Sequence, residues 1–438
     1  VKKLSYISKF FSVLISFFFV AGFTLPFSGK FSETFESYPV AKIPWGKTVA
    51  LKSDLYKVSQ NAAVSPDFDL TFSVESQYGS YQPAGLRKLA ILLKEIELTR
   101  LLKTKASGDQ VAQGAENSVR DIGRGFKLLA THPVGTVKNV GNATGEFFKK
   151  GGHLFSKKKR KTLKKPSLKE RLFDGARRDV ASEFGADVYT ENPDLIRELD
   201  RIAQKRMSGS AAFTVAQFLV PVTLIGSVAL TASGVSASAD QMVNTKDAWE
   251  LYDLNRNAFK AKGLEDEPID QFLLENPYFN PREQTRIRFY LESLSSAKGW
   301  QKVFDQLSDI KSEKEAGQAM TALEMLMGLA ERHKDFTEIG FHQGSLYAVT
   351  AQRQVFVLWP YDFVYANRKG ETLLNQINGL KGKFSSAEVH VLNLGLMSSG
   401  MRSRLESLGI KTADGIFFKE KLNDDEISRR AGASPAAG

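Results

Sequence analysis

Val389-His390-Val391-Leu392-Asn393-Leu394 is a short apolar run, followed four residues on by Ser398-Ser399-Gly400. Its length and β-branched content predict a buried strand, and Ser398 or Ser399 is placed to cap a helix reaching Leu408. Working outward, Leu346-Tyr347-Ala348-Val349 and Gln354-Val355-Phe356-Val357-Leu358-Trp359 read as a hairpin. Leu373, Leu374, Ile377 and Leu380 repeat at helical spacing, and Ile416-Phe417-Phe418 supplies a last strand. The sum is a β-β-α-β-α-β module over residues 341–420. A strand that leads into a helix start leaves free amides at the strand's carboxyl edge, where α/β sheets hold anionic ligands. Asn393, Ser398, Ser399 and Gly400 are therefore the ligand-site candidates, although helix capping alone accounts for the same residues and no glycine fingerprint accompanies them.

Upstream, residues 167–340 read as a helical domain. Ser167-Leu168-Lys169-Glu170 has capping-box form, with Leu172, Ala176, Val180 and Phe184 as a buried stripe ending at Gly185. Asn192-Pro193 opens a helix carrying Leu195, Leu199 and Ile202. Asn280-Pro281-Arg282-Glu283 combines an N-cap, a first-turn proline and a capping glutamate; Ser312 with Glu315 repeats the device ahead of Met320, Leu323 and Met327, which read as core filler. Inside this domain, Ala211–Thr231 holds 21 residues and no charge, long enough to cross a bilayer. Gln217, Pro221 and frequent small residues weaken that reading. A hairpin or broken helix packed inside the domain, a membrane-inserting hairpin over 207–239, and a constitutive span all fit.

The amino-terminal part alternates differently. Thr48-Val49-Ala50-Leu51 and Phe68 to Val74 predict strands separated by turn formers, and Leu86, Leu89, Leu93 and Ile96 predict a helix to about Lys103. The expected fold class is α+β, mostly helical: a small N-terminal β-rich unit closed by a helix (23–105), a basic amphipathic linker (106–166), the central helical domain with its apolar hairpin, the C-terminal β-β-α-β-α-β module, and a disordered tail (421–438).

Charge is concentrated in one place. The net charge is +11, and residues 101–180 contain nineteen Lys/Arg against seven Asp/Glu, so the remainder is close to neutral. At the centre lie Lys157, Lys158, Lys159, Arg160, Lys161, Lys164 and Lys165, preceded by Lys149 and Lys150. Such a run repels itself and stays solvated. Beyond a plain solvated face, it suits an anionic membrane surface, at about 1 kcal/mol per cation, or an acidic envelope partner. Nucleic acid is the weaker match, because no aromatic-interleaved platform or groove-reading motif goes with it.

Lys2, Lys3 and Lys9 followed by the uncharged Phe10–Phe27 read as a secretory signal or membrane anchor, with cleavage expected near Gly22. There is no cysteine, which excludes disulfides, thiolate nucleophiles and iron–sulfur clusters. A cysteine-free exported chain starting at Val1 points to a bacterial envelope. The five histidines lack His-x-x-x-His spacing, and neither a Gly-x-Ser-x-Gly elbow nor a phosphate loop occurs, so no catalytic residue, metal or cofactor is implied.

The stretch His132-Pro133-Val134-Gly135-Thr136-Val137-Lys138 with Phe147-Phe148-Lys149, then Arg178-Asp179-Val180, Gly185-Ala186-Asp187-Val188-Tyr189 and Asn192-Pro193, resembles a group of exported bacterial proteins of unknown function, over roughly residues 132–205. That resemblance implies export and no particular activity. The expected function is binding or assembly at an anionic membrane surface or with an envelope partner. Membrane insertion through 207–239, and an enzyme or ligand-binding protein built on the C-terminal module, are the alternatives.

Overall fold

The computed structural model describes residues 35–43, 52–106, 168–208, 234–333, 335–385 and 387–418. The leader, the strand expected at Thr48–Leu51, the basic segment 107–167, the apolar run 211–231 and the tail lie outside the described residues. Two units divide the chain, Val1–Phe35 and Glu36–Gly438, and the second is the one described below. It is α+β and mostly helical, as expected.

Six short strands begin it: β1 (Val40–Lys42), β2 (Tyr56–Val58), β3 (Asn61–Val64), β4 (Leu70–Thr71), β5 (Val74–Ser76) and β6 (Gly79–Tyr81). They form two three-stranded antiparallel sheets, ordered β1-β3-β4 and β2-β5-β6. The single strand expected from Phe68 to Val74 is broken in two. Phe68 is left-handed (φ 73°), and its carbonyl accepts from the amides of Asp362 (3.2 Å) and Phe363 (3.0 Å). Its buried ring meets Tyr361 and Tyr365 edge-on. A left-handed non-glycine residue costs about 1–2 kcal/mol, which two hydrogen bonds and a buried ring offset.

Helix α1 (Leu86–Ala106) buries Leu86, Leu89, Leu93 and Ile96 as its spacing predicts. Its cap comes from far along the chain. The Asp362 carboxylate accepts from the amides of Leu86 (3.1 Å) and Leu70 (2.8 Å), tying the first helix and an N-terminal strand to the C-terminal module. Burial pushes this carboxyl up to about 7, aided by Asp69 and opposed by the two amides and Lys314. Because the folded value is the higher one, the stabilisation is whole below the unfolded value and is lost as pH rises through the folded one. Between about pH 4 and about pH 8 the wild type should therefore lose more stability than Asp362→Asn, by on the order of 3 kcal/mol. Urea titrations giving both proteins the same pH dependence would refute this.

Next come α2 (Leu168–Phe184), α3 (Pro193–Met207, capped by Asn192) and α4 (Gly234–Thr245). With the end of α1 they enclose a small second core of Leu98, Leu102, Val180, Phe184, Leu195, Leu199, Ile202 and Val243. Arg201 of α3 donates to the carbonyl of Lys103 (3.4 Å), which sets the carboxyl ends of α1 and α3 side by side. The chain continues through α5 (Ala248–Ala261), α6 (Asp266–Asp270) with a π-helical turn at Gln271–Glu275, α7 (Pro281–Ser293), α8 (Trp300–Ser308) and α9 (Glu313–Ala330). Asn280 and Glu283 cap α7 reciprocally, Ser312 caps α9, and Met320 and Met327 are buried in the main core, each as the sequence predicts.

The C-terminal module comprises β7 (Phe336–His342), β8 (Ser345–Thr350), β9 (Gln354–Trp359), β10 (Phe363–Val364), α10 (Arg368–Lys383), β11 (Glu388–Asn393), β12 (Leu396–Met397), α11 (Ser399–Ser407) and β13 (Lys411–Ala413). Its five-stranded sheet has the order β13-β11-β9-β8-β7. β11 runs parallel to both β9 and β13, and β7-β8-β9 is an antiparallel meander. Two features depart from expectation. The meander has the additional strand β7, joined to β8 through Gln343 (φ 49°) and Gly344 (φ 88°), the double positive φ of a tight hairpin. Ile416–Phe418 is a 3-10 turn, and Lys411–Ala413 takes the edge beside β11. There the amide of Phe417 donates to the carbonyl of Leu394 (2.9 Å), closing the sheet's end instead of extending it. One apolar core runs from Ala41 through the helices to Phe417.

Candidate functional site

β9, β11 and β13 are mutually parallel, so Trp359, Asn393 and Ala413 end at one edge of the sheet. Beyond it, β10 pairs with β12 in parallel, and Ser398 caps α11 by accepting from the amide of Met401 (3.1 Å). This is the geometry that offers amides to an anion. Carboxylates of the same chain already lie at this edge and take up several of its neighbouring amides. Glu36 accepts from the amide of Ala366 (2.9 Å) and from the Ser398 hydroxyl, while its own amide donates to the Ala366 carbonyl (2.8 Å). Gly400 lies against this carboxylate: a Cβ there would stand 2.4 Å from Oε1 of Glu36. Asp414 accepts from the amide of Met397 (2.8 Å) and from Arg402 (2.7 Å), and Asp362 holds Leu70 and Leu86 as described.

Of the four candidates, then, Ser398 and Gly400 meet at Glu36. Asn393 is fully buried and donates to the carbonyl of Leu396 (3.2 Å), with no hydrogen bond to its Oδ1. Ser399 is exposed. The basic candidates Lys149, Lys150, Lys157, Lys158, Lys159, Arg160, Lys161, Lys164 and Lys165 lie outside the described residues. Sequence reading missed the three carboxylates. Asp362 carries a usable signal, since Pro360-Tyr361-Asp362 is turn chemistry after a strand. Glu36 carries none, because its partners are more than three hundred residues away.

A second concentration of polar chemistry lies between α1, α4, α7 and α9. Asp240 of α4 accepts from Arg282 (3.1 and 3.1 Å) and from Arg286 (2.9 and 2.7 Å). Arg282 also reaches Asp187 (2.7 Å), and Arg286 reaches the buried Glu324 (3.3 Å), which is shared with Arg87 (3.5 Å). Nearby, burial pushes Glu95 up to about 7 even with Thr190 donating to it, and pushes Glu191 up to about 8, where Glu313 adds to the effect. Displaced carboxyls beside arginine clusters occur in structural networks as well as in active sites. Among the described residues, the short contacts of these arginines are to carboxylates of the fold itself.

An open cleft of about 740 Å³ flanks the start of α4, lined among others by Val235, Ser238, Phe289, Met327, Ala330 and His333. Its wall is mostly apolar, with Glu292 and Glu331 as its carboxylates. Among the described residues no three His, Asp or Glu side chains are grouped to hold a metal ion, and no helix is long and apolar enough to cross a membrane. No protein-family model matches this chain, and no curated protein or solved structure matches it either.

Proposed function

We propose that this chain is an exported bacterial envelope protein that acts by binding, with its basic segment meeting an anionic membrane surface. The carrying observation is the placement of charge: all of the net positive charge lies within residues 101–180, most of which form the segment between Ala106 and Leu168. Both flanking helices, α1 and α2, pack on α3 in one helical layer. The edge of the C-terminal sheet, where a small anionic ligand would be sought, is filled by Glu36, Asp362 and Asp414, which favours binding through a surface over turnover in a pocket. An envelope protein with an acidic face is the second class of partner. Co-sedimentation with phosphatidylglycerol-rich vesicles is expected to weaken as salt rises. Exchanging the seven cations of Lys157–Lys165 for glutamine should weaken it a hundredfold or more, given about 1 kcal/mol per cation. Binding indifferent to both changes would overturn the reading.

A further inference from the structure

Ahead of β1 the chain runs as an arm, Glu36-Ser37-Tyr38-Pro39, against the loop that joins β10 to α10. Its side chains alternate: Glu36 and Tyr38 are half-buried, whereas Ser37 and Pro39 are exposed. The Tyr38 ring packs on Phe363, with centroids 5.1 Å apart, and meets Tyr365 edge-on at 5.6 Å. At Glu36 the hold is polar. The amide donates to the Ala366 carbonyl, and the carboxylate accepts from the Ala366 amide and the Ser398 hydroxyl. The buried apolar side chains Ala41 and Ile43 follow only in and after β1, so residues 36–39 are held by one carboxylate and one ring.

Gly400, in the first turn of α11, marks what this seat is shaped for. The three atoms nearest to a Cβ built there all belong to the Glu36 carboxyl group: Oε1 at 2.4 Å, Cδ at 2.8 Å and Oε2 at 3.2 Å. The position is helical, and glycine is a poorer helix former than alanine, so local structure gives no reason for glycine here. What the missing methyl supplies is room for a carboxylate. The donors around that carboxylate are neutral, a backbone amide and a hydroxyl, and no Lys or Arg pairs with Glu36 among the described residues. Neutral donors suit a single carboxylate better than a doubly charged phosphate, which favours arginine.

We propose that the edge formed by Ala366, Ser398 and Gly400 is a docking site for an extended segment of a partner polypeptide that carries a carboxylate and, two residues on, an aromatic ring, and that residues 36–38 occupy it in cis. Side chains two apart on an extended chain fall on one face, which is how Glu36 and Tyr38 reach the seat and the Phe363–Tyr365 pair together. Main-chain bonding to Ala366 supplies affinity and the alternate side chains supply selectivity, as in other extended-peptide sites. The arm of a second copy gains nothing here, because its contacts are identical and the tethered arm competes at an effective concentration of about a millimolar. A partner segment that adds contacts beyond these two side chains displaces it. The site is independent of the membrane reading: peptide binding is measured without vesicles, so either can fail alone.

The test uses the full chain with its own ligand removed, Glu36→Ala/Tyr38→Ala, and as probe a dye-labelled peptide Glu-Ser-Tyr-Pro-Val, the sequence of residues 36–40. By fluorescence anisotropy the probe should bind this variant at least about tenfold more tightly than wild type, where the tethered arm competes. Glutamine in place of the probe's glutamate should weaken binding about tenfold, because the hydrogen bonds lose their charge assistance. Adding Gly400→Ala to the variant should weaken probe binding by at least about the same factor without lowering its urea midpoint, since the Glu36 carboxyl atoms nearest the new methyl are gone and alanine favours the helix. The site is ruled out if the probe binds the variant no better than wild type, if the glutamine probe binds equally well, or if Gly400→Ala leaves binding unchanged. Loss of the cooperative urea transition in Glu36→Ala/Tyr38→Ala would rule it out as well, because the arm would then be part of the fold and not its ligand.

Discussion

Replacing Arg286 by methionine should lower the unfolding free energy by about 3–5 kcal/mol, the range for removing one member of a buried charge cluster. Arg286 and Glu324 are both buried, and the guanidinium bridges Glu324 to Asp240. Without it, among the described residues Glu324 keeps the longer contact to Arg87 (3.5 Å) and Asp240 keeps the ion pair with Arg282. The penalty arises from the carboxylates left behind, more than from attraction lost. Arg286→Met/Glu324→Gln should therefore regain a substantial part of the stability, because it removes the charge the single change strands. Urea unfolding checks this: a single-variant loss below about 1 kcal/mol, or a double variant no better than the single, would contradict it.

The second large effect is steric. A Cβ on Gly395 would lie 1.9 Å from the carbonyl oxygen of Asp362, so backbone meets backbone and no side chain can yield. That approach exists because the Gly395 amide donates to Tyr361 (2.9 Å) and the Leu396 amide donates to Asp362 (2.8 Å), stitching the loops after β9 and β11 together. Gly395→Ala should break this stitching, detach β10 from β12, and loosen the Asp362 cap on α1, with an expected loss of about 4 kcal/mol or more. Gly382 in α10 is the control, since no neighbour lies within reach of its Cβ. Gly382→Ala should raise stability by about 0.5–1 kcal/mol through helix propensity. Thermal melts in which both alanines behaved alike would show that the close approach at Gly395 does not matter.

Local rules made much of this fold legible. Asn280-Pro281-Arg282-Glu283 encodes its own helix start because capping groups and amides lie within one turn, and α7 begins where they place it. Val389 to Asn393 forms a strand because a short, β-branched apolar run is most stable extended and buried, and Leu86, Leu89, Leu93 and Ile96 face inward because 3.6-residue periodicity places them on one stripe. Phe68–Val74 misled because alternation describes a strand but says nothing of a distant loop that bends Phe68 into the left-handed region. The 3-10 turn at Ile416–Phe418 misled similarly: three apolar residues suit a sheet or a plug at its end, and the choice depends on what already occupies the edge.

The candidate site divides the same way. Ser398 as a cap was readable, since its partner is three residues ahead. Glu36 in front of it, Asp362 on α1 and Asp240 between two arginines were not, because each joins residues tens to hundreds of positions apart. By itself the amino-acid sequence determined where helices start, which stripes are apolar, where positive charge gathers and which stretch is almost uncharged, all properties set by neighbours within a turn or two. Only the tertiary structure decided which carboxylate meets which amide or guanidinium. Those pairings depend on how separate segments are brought together in space, and a carboxylate's chemistry is the same whichever buried donor it reaches.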